Sequence, residues 1–290
     1  MYLNSAASRP LLFSILLFAV CASQCHAAPF QEQSAAAPAV TTLIAPQLVP
    51  AAAVELHPLV QKVLAPPPPI SPAIVIGFLG GRVKKTNTIH REVQMVLHLR
   101  QSHATGVYAE VFQNTHGPQA FREIQRLLDV NHDGVLSLAE KQHARIILYG
   151  HSWGASETVA MAWQLEGAGI PVLLAVLVDR VPKFGSPGAD ARIPANVAQA
   201  INFYQTDGLL HGRPTIRAAD PTATKILGNL QLDYKTTHVA CDEYPWYARA
   251  FMGPHIEIEN DPRVWDKIES LIASKLPIEK TAPNLALTAH

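Results

Sequence analysis

The stretch from Ile146 to Met161 constrains the fold more than any other part of this chain. Ile146-Ile147-Leu148-Tyr149 reads as a strand and Ala155 to Met161 as a helix, with only Gly150-His151-Ser152-Trp153-Gly154 between them. A strand that passes into a helix this abruptly turns so sharply that bulky neighbours would meet the backbone. Glycines two positions before and two positions after Ser152 relieve that crowding. The serine hydroxyl is then left projecting above the end of the strand.

The rest of the chain supplies a sheet for that turn. Ala73-Ile74-Val75-Ile76-Gly77-Phe78 is a continuous apolar run bounded by Pro72 and Gly80-Gly81, as expected of a parallel strand covered on both faces. Ile89, Val93, Val96 and Leu97 recur at helical spacing, and Val107 to Phe112 reads as a second strand. Phe121, Ile124, Leu127 and Leu128 mark a second helix. The helix after Ser152 is expected to end near Gly167-Ala168-Gly169, where a glycine takes the left-handed cap. Val172 to Val178 and Ala200 to Tyr204 give further strands, and a weaker one is expected near Thr236 to Ala240. Asp261-Pro262 supplies an N-cap and a first-turn proline to a closing helix with an apolar stripe of Val264, Trp265, Ile268, Leu271 and Ile272. This alternation predicts one α/β domain over residues 73–276, with a mostly parallel sheet flanked by helices.

The N-terminus reads differently. Arg9 precedes the apolar stretch Leu11 to Val20, too short to span a bilayer and suited to a secretory signal, with cleavage after Ala22 or Ala27. Residues 28–72 are rich in alanine and proline and end in Pro66-Pro67-Pro68-Pro69, the composition of an extended, poorly ordered spacer. The 277–290 segment reads as a flexible tail. Export to the periplasm or the cell exterior is therefore expected, with no transmembrane helix in the mature form. If Cys25 leaves with the signal, as cleavage after Ala27 implies, Cys241 is the lone cysteine, and it is expected to be a small buried hydrophobe. The chain carries 23 basic and 23 acidic residues, so its charge makes no case for nucleic acid as a partner.

Asp129 to Glu140 fits the twelve-residue calcium loop of an EF-hand. Oxygen donors fall at Asp129, Asn131 and Asp133, Gly134 makes the sharp turn, and Val135 offers its carbonyl. Ser137 holds the water-mediated position and Glu140 is placed to bind with both oxygens. A single unpaired loop of this kind predicts weak Ca²⁺ binding, ~10⁻⁴ M, and a structural role for the ion.

With the glycine-flanked serine in its strand–turn–helix setting, the chain resembles the α/β-hydrolases of the serine esterase, lipase and thioesterase type. An EF-hand loop would be inserted before the nucleophile strand, and the resemblance covers about Ala73 to Ile272. A serine needs a base to take its proton and an acid to orient the base. The resemblance implies the chain order serine, acid, histidine. Asp179, directly after a strand, is the preferred acid and Asp207 the alternative. His255, ahead of the closing helix, is the preferred base, to be sought on a loop, and His238 the alternative; His151 is read as structural. The oxyanion donors would be the amide of Trp153 and that of Leu79 or Gly80. The implied activity is hydrolysis of a small-molecule or lipid acyl ester or thioester. The competing expectations are a non-catalytic calcium-binding module on the same scaffold, and an amide or peptide hydrolase. Residues 182–194 and Tyr244-Pro245-Trp246-Tyr247 are candidates to line a cleft.

Overall fold

In a computed structural model, residues 72–103, 105–183 and 192–277 are described; the signal and tail segments, and nearly all of the spacer, lie outside them. They belong to one unit, Ala65–His290. Among the described residues, fourteen elements follow in order. They are β1 (Ala73–Leu79), α1 (Arg91–Ser102), β2 (Val107–Gln113), α2 (Gly117–Leu128) and α3 (Leu138–Gln142). Next come β3 (Ile146–His151), α4 (Trp153–Gly167), β4 (Leu174–Val178), β5 (Arg192–Ile193) and β6 (Gln199–Tyr204). The described residues end with β7 (Arg217–Ala218), β8 (Lys225–Gln231), α5 (Trp246–Asn260) and α6 (Pro262–Ala273).

Six strands form one sheet in the order β2-β1-β3-β4-β6-β8, and every pairing in it is parallel. Parallel neighbours need crossovers, and these put helices on both faces. That is why β1 is apolar throughout. Val75 and Leu79 pack with Val93, Val96 and Leu99 of α1 and with Val264, Ile268 and Ile272 of α6. Ile74, Ile76 and Phe78 pack on the opposite face with Ile124 of α2 and with Val159 and Leu165 of α4. The architecture is an α/β sandwich with a six-stranded parallel sheet at its centre. No helix among the described residues is long and apolar enough to cross a membrane.

Strand order reverses between β1 and β3. The chain runs outward from β1 to β2, then returns past β1 to build β3, β4, β6 and β8 on the other side. Loops at the carboxyl ends of β1 and β3 therefore diverge, and a crevice opens between them. Ser152 lies at that crevice, directly after β3.

Three local expectations are corrected. The sixth strand is β8, at Lys225–Gln231, and Thr236 to Ala240 is irregular. β8 is an edge strand, half-exposed along its length, so it needs no apolar run. His255 lies on a helix, α5, and not on a loop. Gly253-Pro254 does interrupt α5, where Met252 takes φ −130°, but the helix resumes at once. Proline sits in the first turn after the break, where its missing N–H leaves no bond unmade. Lastly, Ile89 precedes α1 and Leu97 is exposed, so the buried stripe of that helix runs through Val93, Val96 and Leu99.

Candidate active site

The turn after β3 holds Ser152 at φ 57°, ψ −123°, a conformation that non-glycine residues avoid. Its amide donates to the Val178 carbonyl at 2.9 Å, which ties the turn to the end of β4. The crowding inferred from the glycine spacing is present. A Cβ on Gly154 would lie 1.9 Å from the Phe78 carbonyl oxygen, and one on Gly150 would lie 2.5 Å from the Gly154 backbone.

Ser152, His255 and Asp179 come together. Ser152 Oγ lies 2.9 Å from Nε2 of His255, and His255 Nδ1 lies 2.6 Å from Oδ2 of Asp179. Asp179 has no exposed surface, and its carboxylate is fully engaged. Oδ1 accepts from the Gly212 amide at 2.7 Å and Oδ2 from Gln205 Nε2 at 2.7 Å. Since a carboxylate only accepts, His255 Nδ1 carries the proton in that contact. Nε2 then presents its lone pair to the serine hydroxyl, the arrangement a general base requires.

The alternatives sit elsewhere. Asp207 accepts from the Tyr234 amide at 2.7 Å and faces the Lys235 ammonium, 3.4 Å away. His238 is exposed and faces Glu257, 3.4 Å away. His151 is buried beside the base. Its Nε2 donates to the His255 carbonyl at 3.1 Å, and the two rings lie 4.4 Å apart. Burial pushes the His151 imidazole down to about 4, so it stays neutral.

Among the oxyanion candidates, Trp153 opens α4, and the first amides of a helix have no partner within it. Leu79 is the buried last residue of β1. The Gly80 backbone abuts the nucleophile: a Cβ there would lie 3.1 Å from Ser152 Cβ. Its amide is turned toward Glu92 Oε1, 3.4 Å away. Asn114 Nδ2 donates to the carbonyls of Leu79 and Gly81 and fixes the loop. Sequence reasoning missed both Asn114 and Glu92, since neither belongs to a motif.

A cavity of about 650 Å³ opens onto Ser152. Tyr244, Pro245, Tyr247, Met252, Ile89 and Val83 supply much of its wall, while Trp246 points to solvent. Of the 182–194 stretch, residues 184–191 lie outside the described set, and Pro182 lines a smaller neighbouring hollow with Trp153.

The acidic loop between α2 and α3 adopts a turn-rich form, with His132 at φ 59° and Gly134 at φ 81°. Asp129 Oδ2 accepts from the Gly134 amide at 3.0 Å, and Asp133 Oδ1 accepts from the Val135 amide at 2.8 Å. Glu140 forms a capping box with Ser137. Asp129, Asp133 and Glu140 do not bring their oxygens within 4.8 Å of one another. Cys241 is half-buried, and burial pushes its thiol up to about 11, which suppresses the reactive thiolate.

No family model and no curated protein matches the chain. Among solved structures it is similar to human thioesterase 2, at 11% identity and a TM-score of 0.37, over 73% of this chain and 99% of that one. A cutinase-like protein from Cryptococcus sp. is 13% identical with a TM-score of 0.36, over 70% of this chain and 93% of that one. An acetylxylan esterase is 14% identical with a TM-score of 0.33, over 71% of this chain and 99% of that one. At this depth of identity and superposition, none of them identifies the activity. What the chain's own topology defines is an α/β fold with a six-stranded parallel sheet and a serine at the turn after its third strand.

Proposed function

We propose that the protein is an exported serine hydrolase that cleaves a carboxylic ester or thioester through a Ser152 acyl-enzyme. One observation carries this reading: the continuous 2.9 Å and 2.6 Å contacts from Ser152 through His255 to Asp179. In the first step Ser152 Oγ attacks the acyl carbon while His255 Nε2 takes the hydroxyl proton, and Asp179 steadies the imidazolium. The Trp153 amide stabilises the oxyanion. Collapse of the tetrahedral intermediate breaks the ester bond, and the His255 proton leaves with the alcohol or thiol. Water then repeats the sequence on the acyl-enzyme and regenerates the serine. The apolar cavity wall suits an acyl or alkyl chain better than a charged substrate.

A fluorophosphonate probe tests this directly. Its adduct is expected on the tryptic peptide that contains Ser152, located by mass spectrometry. Absence of any adduct would favour the non-catalytic calcium module instead.

The same proposal includes a structural Ca²⁺ ion. The donor set suits a hard cation: Asp129, Asn131, Asp133, the Val135 carbonyl, Ser137 through water, and Glu140. Binding requires Glu140 to leave the capping box and turn both oxygens inward. α3 leads straight into β3, so the ion would brace the strand that carries the nucleophile. At calcium about 100-fold above Kd, stabilisation is expected to be about 2.7 kcal/mol. For a domain of this size that raises Tm by roughly 5–10 °C. Scanning fluorimetry with and without a chelator checks this, and Glu140→Gln is expected to remove the shift. An unchanged Tm on chelation rules the ion out.

A further inference from the structure

Outside the serine relay, one cluster of ionisable groups is buried against it. Glu92, in the first turn of α1, has no exposed surface, and Glu259, on α5, is 3% exposed. Glu259 lies one helical turn after His255 on the same helix, and residues at that spacing share a face. A Glu92 oxygen, a Glu259 oxygen and a His90 ring nitrogen lie within 4.8 Å of one another. Tyr149, His151 and Tyr244 complete the surroundings. The Tyr149 hydroxyl donates to the Glu92 backbone carbonyl at 2.8 Å, and Tyr244 meets His90 edge-on at 5.6 Å.

The donors in this cluster are nearly all spoken for. His90 Nδ1 donates to Glu259 Oε1 at 2.6 Å, and the Gly80 amide points to Glu92 Oε1. His151 gives its ring proton to the His255 carbonyl, so its Nδ1, 3.4 Å from Glu259 Oε2, brings another lone pair. Glu92 Oε2 remains, buried and with no partner. Acceptors thus outnumber donors here, since the Tyr244 hydroxyl, also buried without a partner, is a single donor beside several lone pairs, and two bare carboxylates this close repel each other. One proton removes both problems. A metal ion suits the site less well, because His90 and Glu259 are already bonded to each other and Glu92 Oε1 faces an amide.

We propose that Glu92 and Glu259 share a proton and form a clasp that fastens the His255-bearing helix to the Gly80 loop. The clasp sets the reach of the base toward Ser152, so both glutamates are positioning residues. Burial first, and then the charge of Glu259, push the Glu92 carboxyl well above its ordinary range, which places the proton on Glu92. The clasp rests on the serine hydrolase reading for its consequence, though not for its chemistry.

Two measurements on the full chain test it. Infrared spectroscopy at neutral pH is expected to show the carbonyl stretch of a buried protonated carboxylic acid, which disappears in Glu92→Gln. The second measurement is the rate of fluorophosphonate labelling. Glu92→Ala is expected to lower it about 10–100-fold, as a displacement of about 1 Å in a catalytic group does. Glu92→Gln, a neutral isostere that donates to Glu259 and accepts from Gly80, is expected to recover labelling to within about fivefold of wild type, a rescue that tracks the same positioning effect. Absence of the protonated-acid band overturns the clasp, as does equal loss in the two variants. So does stoichiometric divalent metal in the purified protein that Glu92→Ala abolishes. If the wild type does not label at all, the hydrolase reading fails, and the infrared band still decides whether the proton is shared.

Discussion

Asp179→Asn is expected to lower kcat by roughly 10⁴-fold on any ester the protein hydrolyses, with little change in KM. The reason lies in what surrounds the carboxylate. Both oxygens accept: Oδ1 from the Gly212 amide and Oδ2 from Gln205 Nε2 and His255 Nδ1. An amide has only one oxygen, so its NH₂ must face one of these donors. If it faces His255, Nδ1 must become an acceptor, and the ring proton moves to Nε2, where the lone pair for Ser152 is needed. If it faces Gly212, two N–H groups oppose each other in a buried site, at about 1–3 kcal/mol of stability. Asp207→Asn is the control. Its carbonyl still accepts from the Tyr234 amide, so kcat is expected to stay within a few-fold of wild type. A spectrophotometric ester assay on both variants separates them, and the reverse ranking would make Asp207 the acid.

That pair of aspartates also shows how far the sequence was legible. The core strands were readable because a parallel strand covered on both faces has to be apolar, as β1, β4 and β3 up to Gly150 are. Asp179 and Asp207 were harder to separate, since each follows a strand. The deciding fact is neighbourhood: β4 pairs directly with β3, whereas β6 lies one strand further out. Strand order is a long-range property that local pattern does not encode. β8 escaped notice because an edge strand with Gly228 and Asn229 in it has no apolar signature. It is held by its register with β6 and by Asn202 Nδ2 donating to Asn229 Oδ1 at 3.3 Å. α5 was hidden for a different reason. Gly253-Pro254 ordinarily ends a helix, and only tertiary packing of Ile256 and Ile258 carries the chain through it. The Glu92–Glu259 pair had no signal at all, because two glutamates on separate helices look like solvated surface until the fold buries them.

Gly154→Ala is expected to be the most damaging single-methyl change in the protein. Its Cβ would stand 1.9 Å from the Phe78 carbonyl oxygen and 2.6 Å from the Phe78 carbonyl carbon. Neither atom yields easily, because Phe78 is paired with Phe112 of β2 on one side and Gly150 of β3 on the other. The start of α4 must instead lift away from the sheet, opening the core where Ala155 and Val159 pack beneath Ile76 and Phe78. A cost of about 4–5 kcal/mol or more is expected, enough to leave little folded protein. Gly167→Ala serves as the comparison: it closes the same helix, and an added Cβ meets nothing within 4 Å. That change is expected to be neutral or to stabilise by up to about 1 kcal/mol, since alanine restricts the unfolded chain. Urea unfolding midpoints measure both, and similar midpoints would refute the close approach of α4 to β1. The consequence reaches the chemistry, because Phe78 is followed by Leu79 and Gly80. The contact that excludes a methyl group at position 154 holds the start of α4 against the end of β1, next to the Gly80 backbone that abuts Ser152. Any Gly154→Ala protein that does fold is therefore expected to label slowly with a fluorophosphonate, even with Ser152, His255 and Asp179 intact.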